Sequence, residues 1–91
     1  MTAIADRIAA ARAELADTLQ YLSPAARIEL ATEACIENGG SLVPANICKG
    51  TPHYAEISLL GVYHAGNDEA EAIANWIKAV RRIEAAAPEA A

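Results

Sequence analysis

Four side chains in this 91-residue sequence have the chemistry of metal ligands or nucleophiles: Cys35, Cys48, His53 and His64, spaced Cys-x12-Cys-x4-His-x10-His. Structural zinc sites usually take their ligands as close pairs on tight turns, such as Cys-x2-Cys. Here the four fall on a predicted helix, an irregular stretch and a predicted strand, and Cys35 belongs to an apolar helix stripe. A nucleophile at Cys48 served by His53 or His64 would also need a positioned oxyanion site. The nearest helix start, at Asn67, is lined with acids instead. Neither Gly39-Gly40 nor Gly50-Thr51 has the strand-loop-helix context and Lys-Ser/Thr pair of a phosphate-binding loop. The sequence therefore predicts no catalytic residues, no cofactor and no metal, with two free thiols. A small metal- or ligand-binding protein using Cys48, His53, Tyr63 and His64 is the reading kept third.

Carboxylates form the more suggestive constellation. Glu29, Glu33 and Glu37 recur at i, i+4 and i+8, so a helix puts them in one line. Asp68, Glu69 and Glu71 cluster where a third helix should start. The chain carries twelve acidic and seven basic residues, for a net charge of −5 and a pI near 4.8. That balance excludes a dedicated nucleic-acid binder, which needs net positive surface to displace counterions. It favours a protein partner with a basic surface, drawn in by long-range electrostatics. The basic cluster Lys78, Arg81 and Arg82 reads as an ordinary helix C-terminus.

The elements that must position these groups are built from limited material. Hydrophobic residues are 54% of the chain, but 23 of the 49 are alanine and there is no phenylalanine. Residues 3–22 form an amphipathic helix with the stripe Ile4, Ile8, Ala11, Leu15, Leu19 and Leu22, capped by Thr2. Ser23-Pro24 starts a second helix, which runs to about Glu37 and stops at Asn38-Gly39-Gly40. It should bury Ile28, Ala31, Ala34 and Cys35. Residues 41–53 are broken by Pro44 and limit regular pairing again at Pro52. Residues 54–64 read as one strand with Ala55, Ile57, Leu59, Gly61 and Tyr63 on its inner face. That strand needs a partner, either residues 42–48 or the same strand of another subunit. Asn67 or Asp68 caps a third helix with the stripe Ile73, Trp76, Ile77, Val80 and Ile83.

The fold class expected is α+β: two N-terminal helices as an antiparallel pair, a small antiparallel β-hairpin or meander, and a C-terminal helix packed on the sheet. One compact domain spans 1–86, and 87–91 form a flexible Ala/Pro tail. The core should contain Ile4, Ile8, Leu15, Leu19, Ile28, Cys35, Ile57, Leu59, Trp76, Ile77 and Val80. No apolar run has the length of a membrane span, and the first residues lack a secretory pattern, which predicts a cytoplasmic protein. So few large side chains in a short chain give marginal stability and a motive for a homodimer, through the alanine-flanked ridge of the first helix or an edge strand.

From Tyr54 to Val80, the strand, the step Ala65-Gly66-Asn67-Asp68 and the Glu-Ala-Glu-Ala helix start resemble the strand-turn-helix of HicB-like antitoxins and of double-stranded-RNA-binding domains. The stretch covers 27 of 91 residues. The RNA-binding family places lysines at that helix start, where this chain has Asp68, Glu69 and Glu71. In type, though without a shared motif, the small acidic chain is similar to phage and prophage products, including anti-CRISPR proteins. The resemblance in type implies a non-catalytic protein-binding module, a phage-type inhibitor facing a basic partner such as a nucleic-acid-binding protein. The charge pattern, and no family motif, offers Glu29, Glu33, Glu37, Asp68, Glu69 and Glu71 as its contacts. An antitoxin- or regulator-like dimeric subunit is the alternative.

Overall fold

A computed structural model describes residues 3–48 and 51–86, with the backbone alone for 3, 46–48 and 51–53. The class is α+β, as the hydropathy pattern predicts. The elements run α1 (Ala3–Gln20), α2 (Pro24–Asn38), β1 (Ser41–Val43), β2 (Asn46–Cys48), β3 (Thr51–His53), β4 (Ala55–Leu59), β5 (Val62–Gly66) and α3 (Glu69–Ala86). The Thr2 cap and the 87–91 tail lie outside the described residues.

Local chemistry sets the ends of the second and third helices. The Ser23 hydroxyl accepts the Ala26 N–H, and Pro24 fills the first turn, where a missing N–H leaves no bond unmade. Gly39 closes α2 in the left-handed conformation, and Gly40 N–H returns to Cys35 O at 2.8 Å. At the start of α3, Asp68 Oδ1 accepts the Glu71 N–H at 2.8 Å while Glu71 Oε1 accepts the Asn67 N–H at 2.6 Å. This reciprocal arrangement satisfies two N–H groups that the helix itself cannot.

The segment read as one strand is two. β4 and β5 pair antiparallel through a two-residue turn at Leu60-Gly61, with Leu59 opposite Val62. Both turn residues have positive φ, 51° at Leu60 and 80° at Gly61, the pattern of a type I′ turn. Such a turn matches the twist of the strands, and it also shifts the facing parity by one. Ala55, Ile57 and Leu59 therefore share the inner face with Val62, His64 and Gly66, as the register requires. Val62 is buried and Tyr63 points outward with 57% of its surface exposed, the reverse of the single-strand expectation.

β4 is the central strand of a three-stranded sheet ordered β1-β4-β5. Leu42 of β1 faces Ile57, so the residues just after α2 do pair with the hairpin. Ile47 and Cys48 do not join them. β2 and β3 form a separate antiparallel ribbon, with Pro52 opposite Ile47. α3 packs across β4 and β5, and α1 and α2 each pack more on α3 than on one another. The two N-terminal helices thus flank the third rather than forming a self-contained pair.

Trp76 is wholly buried, ringed by a core that includes Leu19, Ile57, Leu59, Ile73 and Val80. Its indole N–H donates to Leu59 O at 3.1 Å, at the last strand position before the turn. Ala16, Ala31, Ala34, Ala55, Ala72 and Ala79 are buried as well, which lets the helices approach closely. Gly66 marks one such approach: a Cβ there would stand 2.5 Å from the Ala72 nitrogen. Several expected core positions are corrected. Ile4 is 70% exposed and Ile8 38%, because the first half of α1 runs past the edge of the core; Ile83 is exposed near the far end of α3. Leu15 and Ile28 are only partly buried.

Trp76→Phe keeps most of the volume but leaves the Leu59 carbonyl without its indole donor. It is expected to cost about 1–3 kcal/mol, read as a lower midpoint in urea unfolding. Gly61→Ala forces a Cβ into the positive-φ region and should cost on the order of 1 kcal/mol in the same assay.

Candidate protein-interaction surface

Glu29, Glu33 and Glu37 are all exposed on α2. The helical rise separates neighbours in the line by about 6 Å. None of the three makes an ion pair among the described residues, where the bridges join Arg81 to Asp17 at 3.2 Å and to Glu84 at 2.7 Å. The line is thus available to a partner while the α1–α3 contact uses other carboxylates.

The second acidic group is differently employed. Asp68 and Glu71 each give a carboxylate oxygen to the α3 cap, leaving Glu69, partly buried, outside it. Beside them Tyr54, Ala65, Gly66, Asn67, Glu71 and Asn75 line a shallow depression of about 300 Å³. Asn75 is fixed there by donating to Ala65 O at 2.8 Å. The two acidic groups are therefore not equivalent. The α2 line has no structural task, whereas the α3 group holds a helix end.

The basic side chains divide in the same way. Arg27 donates from Nε to Leu19 O at 2.8 Å and from Nη2 to Gln20 O at 2.9 Å, capping the C-terminus of α1. Arg12 donates to Leu60 O at 3.0 Å and so ties α1 to the hairpin turn. Arg81, grouped from the sequence with Lys78 and Arg82, bridges α1 and α3. Three guanidinium groups are thus engaged within the fold. Sequence reasoning missed Arg12 and Arg27 because both bind backbone carbonyls, which leave no side-chain signature. For Arg27, its place in the first turn of α2, seven residues after the end of α1, is the available hint.

Of the metal-ligand types, Cys35 is buried against the core, and His64 sits half-buried on the inner sheet face opposite Ile57. The side chains of Cys48 and His53 lie outside the described residues. Among the described residues, no three His, Cys, Asp or Glu side chains are gathered to hold a metal. On the outer sheet face, Tyr63 lies across from Ser58. Its phenol is raised above its ordinary value by partial desolvation first and by the Glu56 carboxylate second. Every buried side-chain nitrogen or oxygen among the described residues has a hydrogen-bond partner. No described helix is long and apolar enough to cross a membrane. Comparison with protein-family models, curated proteins and solved structures finds no match to this chain.

Burial raises the Cys35 thiol above its ordinary value of 9.0 by disfavouring the thiolate. The folded state therefore holds its proton at pH values where the unfolded state has released it. Any stability from this difference is intact below pH 9 and falls as pH rises beyond it. Alkylation with iodoacetamide at pH 8, located by peptide mass, should modify Cys35 slowly in the folded protein and quickly in urea. Equal rates would contradict its burial.

Proposed function

We propose that this chain is a non-catalytic protein-binding module that presents the acidic face of α2 to a basic partner protein. The observation that carries the reading is the exposed Glu29–Glu33–Glu37 line, which makes no ion pair among the described residues while Arg12, Arg27 and Arg81 are committed to the fold. Like charges at four-residue spacing disfavour the helix slightly. A partner's Lys and Arg side chains would relieve that repulsion and gain complementary pairing. In its most concrete form the module acts as a phage-type, anti-CRISPR-like inhibitor, occupying a lysine- and arginine-rich channel that otherwise holds nucleic acid. Such a role needs only a folded complementary surface. Glu69, with the outer oxygens of Asp68 and Glu71, extends the acidic field at the α3 start as a secondary contact.

The antitoxin- or regulator-like alternative, a dimeric subunit, draws on a different observation, the exposed apolar residues Ile4 and Ile8 of α1.

The deciding experiment compares affinity capture from host lysate by the wild-type chain and by the Glu29→Gln/Glu33→Gln/Glu37→Gln variant. A basic protein should be retained by the wild type, released by moderate salt and retained at least roughly tenfold less by the variant. Equal recovery on both baits across the salt series would remove α2 as the contact face. The paired variant Glu69→Gln should lower retention by a smaller factor.

A further inference from the structure

The first half of α1 has no counterpart in the core. Residues 4–11 are exposed all round the helix, and only from Arg12 onward does it settle against the rest of the fold, burying Ala16 and Leu19. About 12 Å of helix therefore carries Ile4, Ile8 and four alanines into solvent. So short a stretch has little stability without tertiary packing. At 100° per residue, Ile4, Ile8, Ala11 and Leu15 fall within about 60° of arc. The core-facing Arg12, Ala16 and Leu19 lie further round on one side. Arg7 and Glu14 lie together on the other side, both exposed. Neither makes an ion pair within the chain among the described residues.

We propose that this face binds a second copy of the chain, with the two α1 helices antiparallel about a two-fold axis near Ala9 and Ala10. The stripe is self-complementary in that orientation. Ile8 of each copy meets the partner's Ala11, a large side chain over a small one, and Ile4 meets the partner's Leu15. An antiparallel pair also brings like flanks together, so Arg7 of each copy stands beside the partner's Glu14 and two charge pairs form at the rim. A parallel pairing would instead turn the Arg7–Glu14 flank of each copy toward the opposite flank of its partner, and these charge pairs would not form.

A cleft beside the stripe supports the same occupant. About 360 Å³ opens between Ile8, the α2 end at Asn38, Gly39 and Gly40, and the hairpin from Ser58 to Gly61. Arg12 is tied to Leu60 O, so the hairpin turn stands beside α1 at the level of residue 12. In the antiparallel pair the partner's Ile4 and Ile8 lie opposite residues 15 and 11, bracketing that level. Leu60, the partly exposed apolar side chain of the cleft, is thereby covered by side chains that are bare in the monomer. The α2 carboxylates take no part, so this assembly and the acidic-surface function stand or fall separately.

Sedimentation equilibrium on the intact chain, from low to high micromolar concentration, tests the proposal. A monomer–dimer equilibrium is expected. Ile8→Glu should weaken it at least roughly tenfold while far-UV circular dichroism shows the helices retained. Arg7→Glu and Glu14→Arg should each weaken the dimer, and combining them should restore it, because the swap rebuilds both pairs. A monomer at every concentration would overturn the proposal. So would a dimer whose dissociation constant is the same for the wild type, Ile8→Glu and the two single charge reversals, since that dimer uses another face.

Discussion

The bond from the Trp76 indole N–H to the Leu59 carbonyl is the constraint on which the fold depends. It joins the middle of α3 to the end of β4, where the chain enters a tight turn. Buried polar groups are expensive to leave unpaired, so the indole can occupy the centre of the core only where a carbonyl is offered to it. The hairpin supplies that carbonyl in a fixed position. In return, the indole fills a volume that surrounding alanines could not. Arg12 secures the same turn from the other side through Leu60 O, so α1, the hairpin and α3 are coupled at one corner of the molecule. Few large side chains then suffice, because the small ones let backbones approach and one bicyclic ring fills the space between them.

Much of this was legible in the residues. Ser23-Pro24, Asn38-Gly39 and Asn67-Asp68 mark helix ends by local hydrogen-bonding logic, and the structure places the ends there. The α3 stripe through Ile73, Trp76, Ile77 and Val80 is buried as its periodicity implies. The hairpin turn was not legible, because Leu60 occupies a positive-φ position that Asn, Asp or Gly ordinarily fills. Reading through it as one strand assigned Val62 and Tyr63 to the wrong faces, since a two-residue turn changes the facing parity. Ile4 and Ile8 show the other kind of failure. Periodicity reports which side of a helix is apolar, but not how far along the helix the rest of the fold extends. For the candidate site, the alignment of Glu29, Glu33 and Glu37 was legible. That Asp68 and Glu71 would turn inward as a cap was legible only as a helix start, not as a loss of contact surface.

The outcome is a division of labour along the chain. The carboxylates of α2 and the apolar half of α1 remain outside the internal network, while the guanidinium groups of Arg12, Arg27 and Arg81 work within it. Surfaces left uncommitted in a small fold are where association is least costly to the fold itself, because substitution there removes no internal contact. The acidic face and the apolar face lie on separate helices, so the two proposed contacts would not compete for the same surface.

The central claim, that the core is organised by Trp76 against the hairpin carbonyl, is tested most directly by hydrogen exchange at the indole Nε1–H, followed by NMR. The account predicts exchange as slow as that of the most protected α3 backbone amides, released only by global unfolding. Exchange of the indole proton at the rate of a solvent-exposed tryptophan, while those amides stay protected, would contradict it.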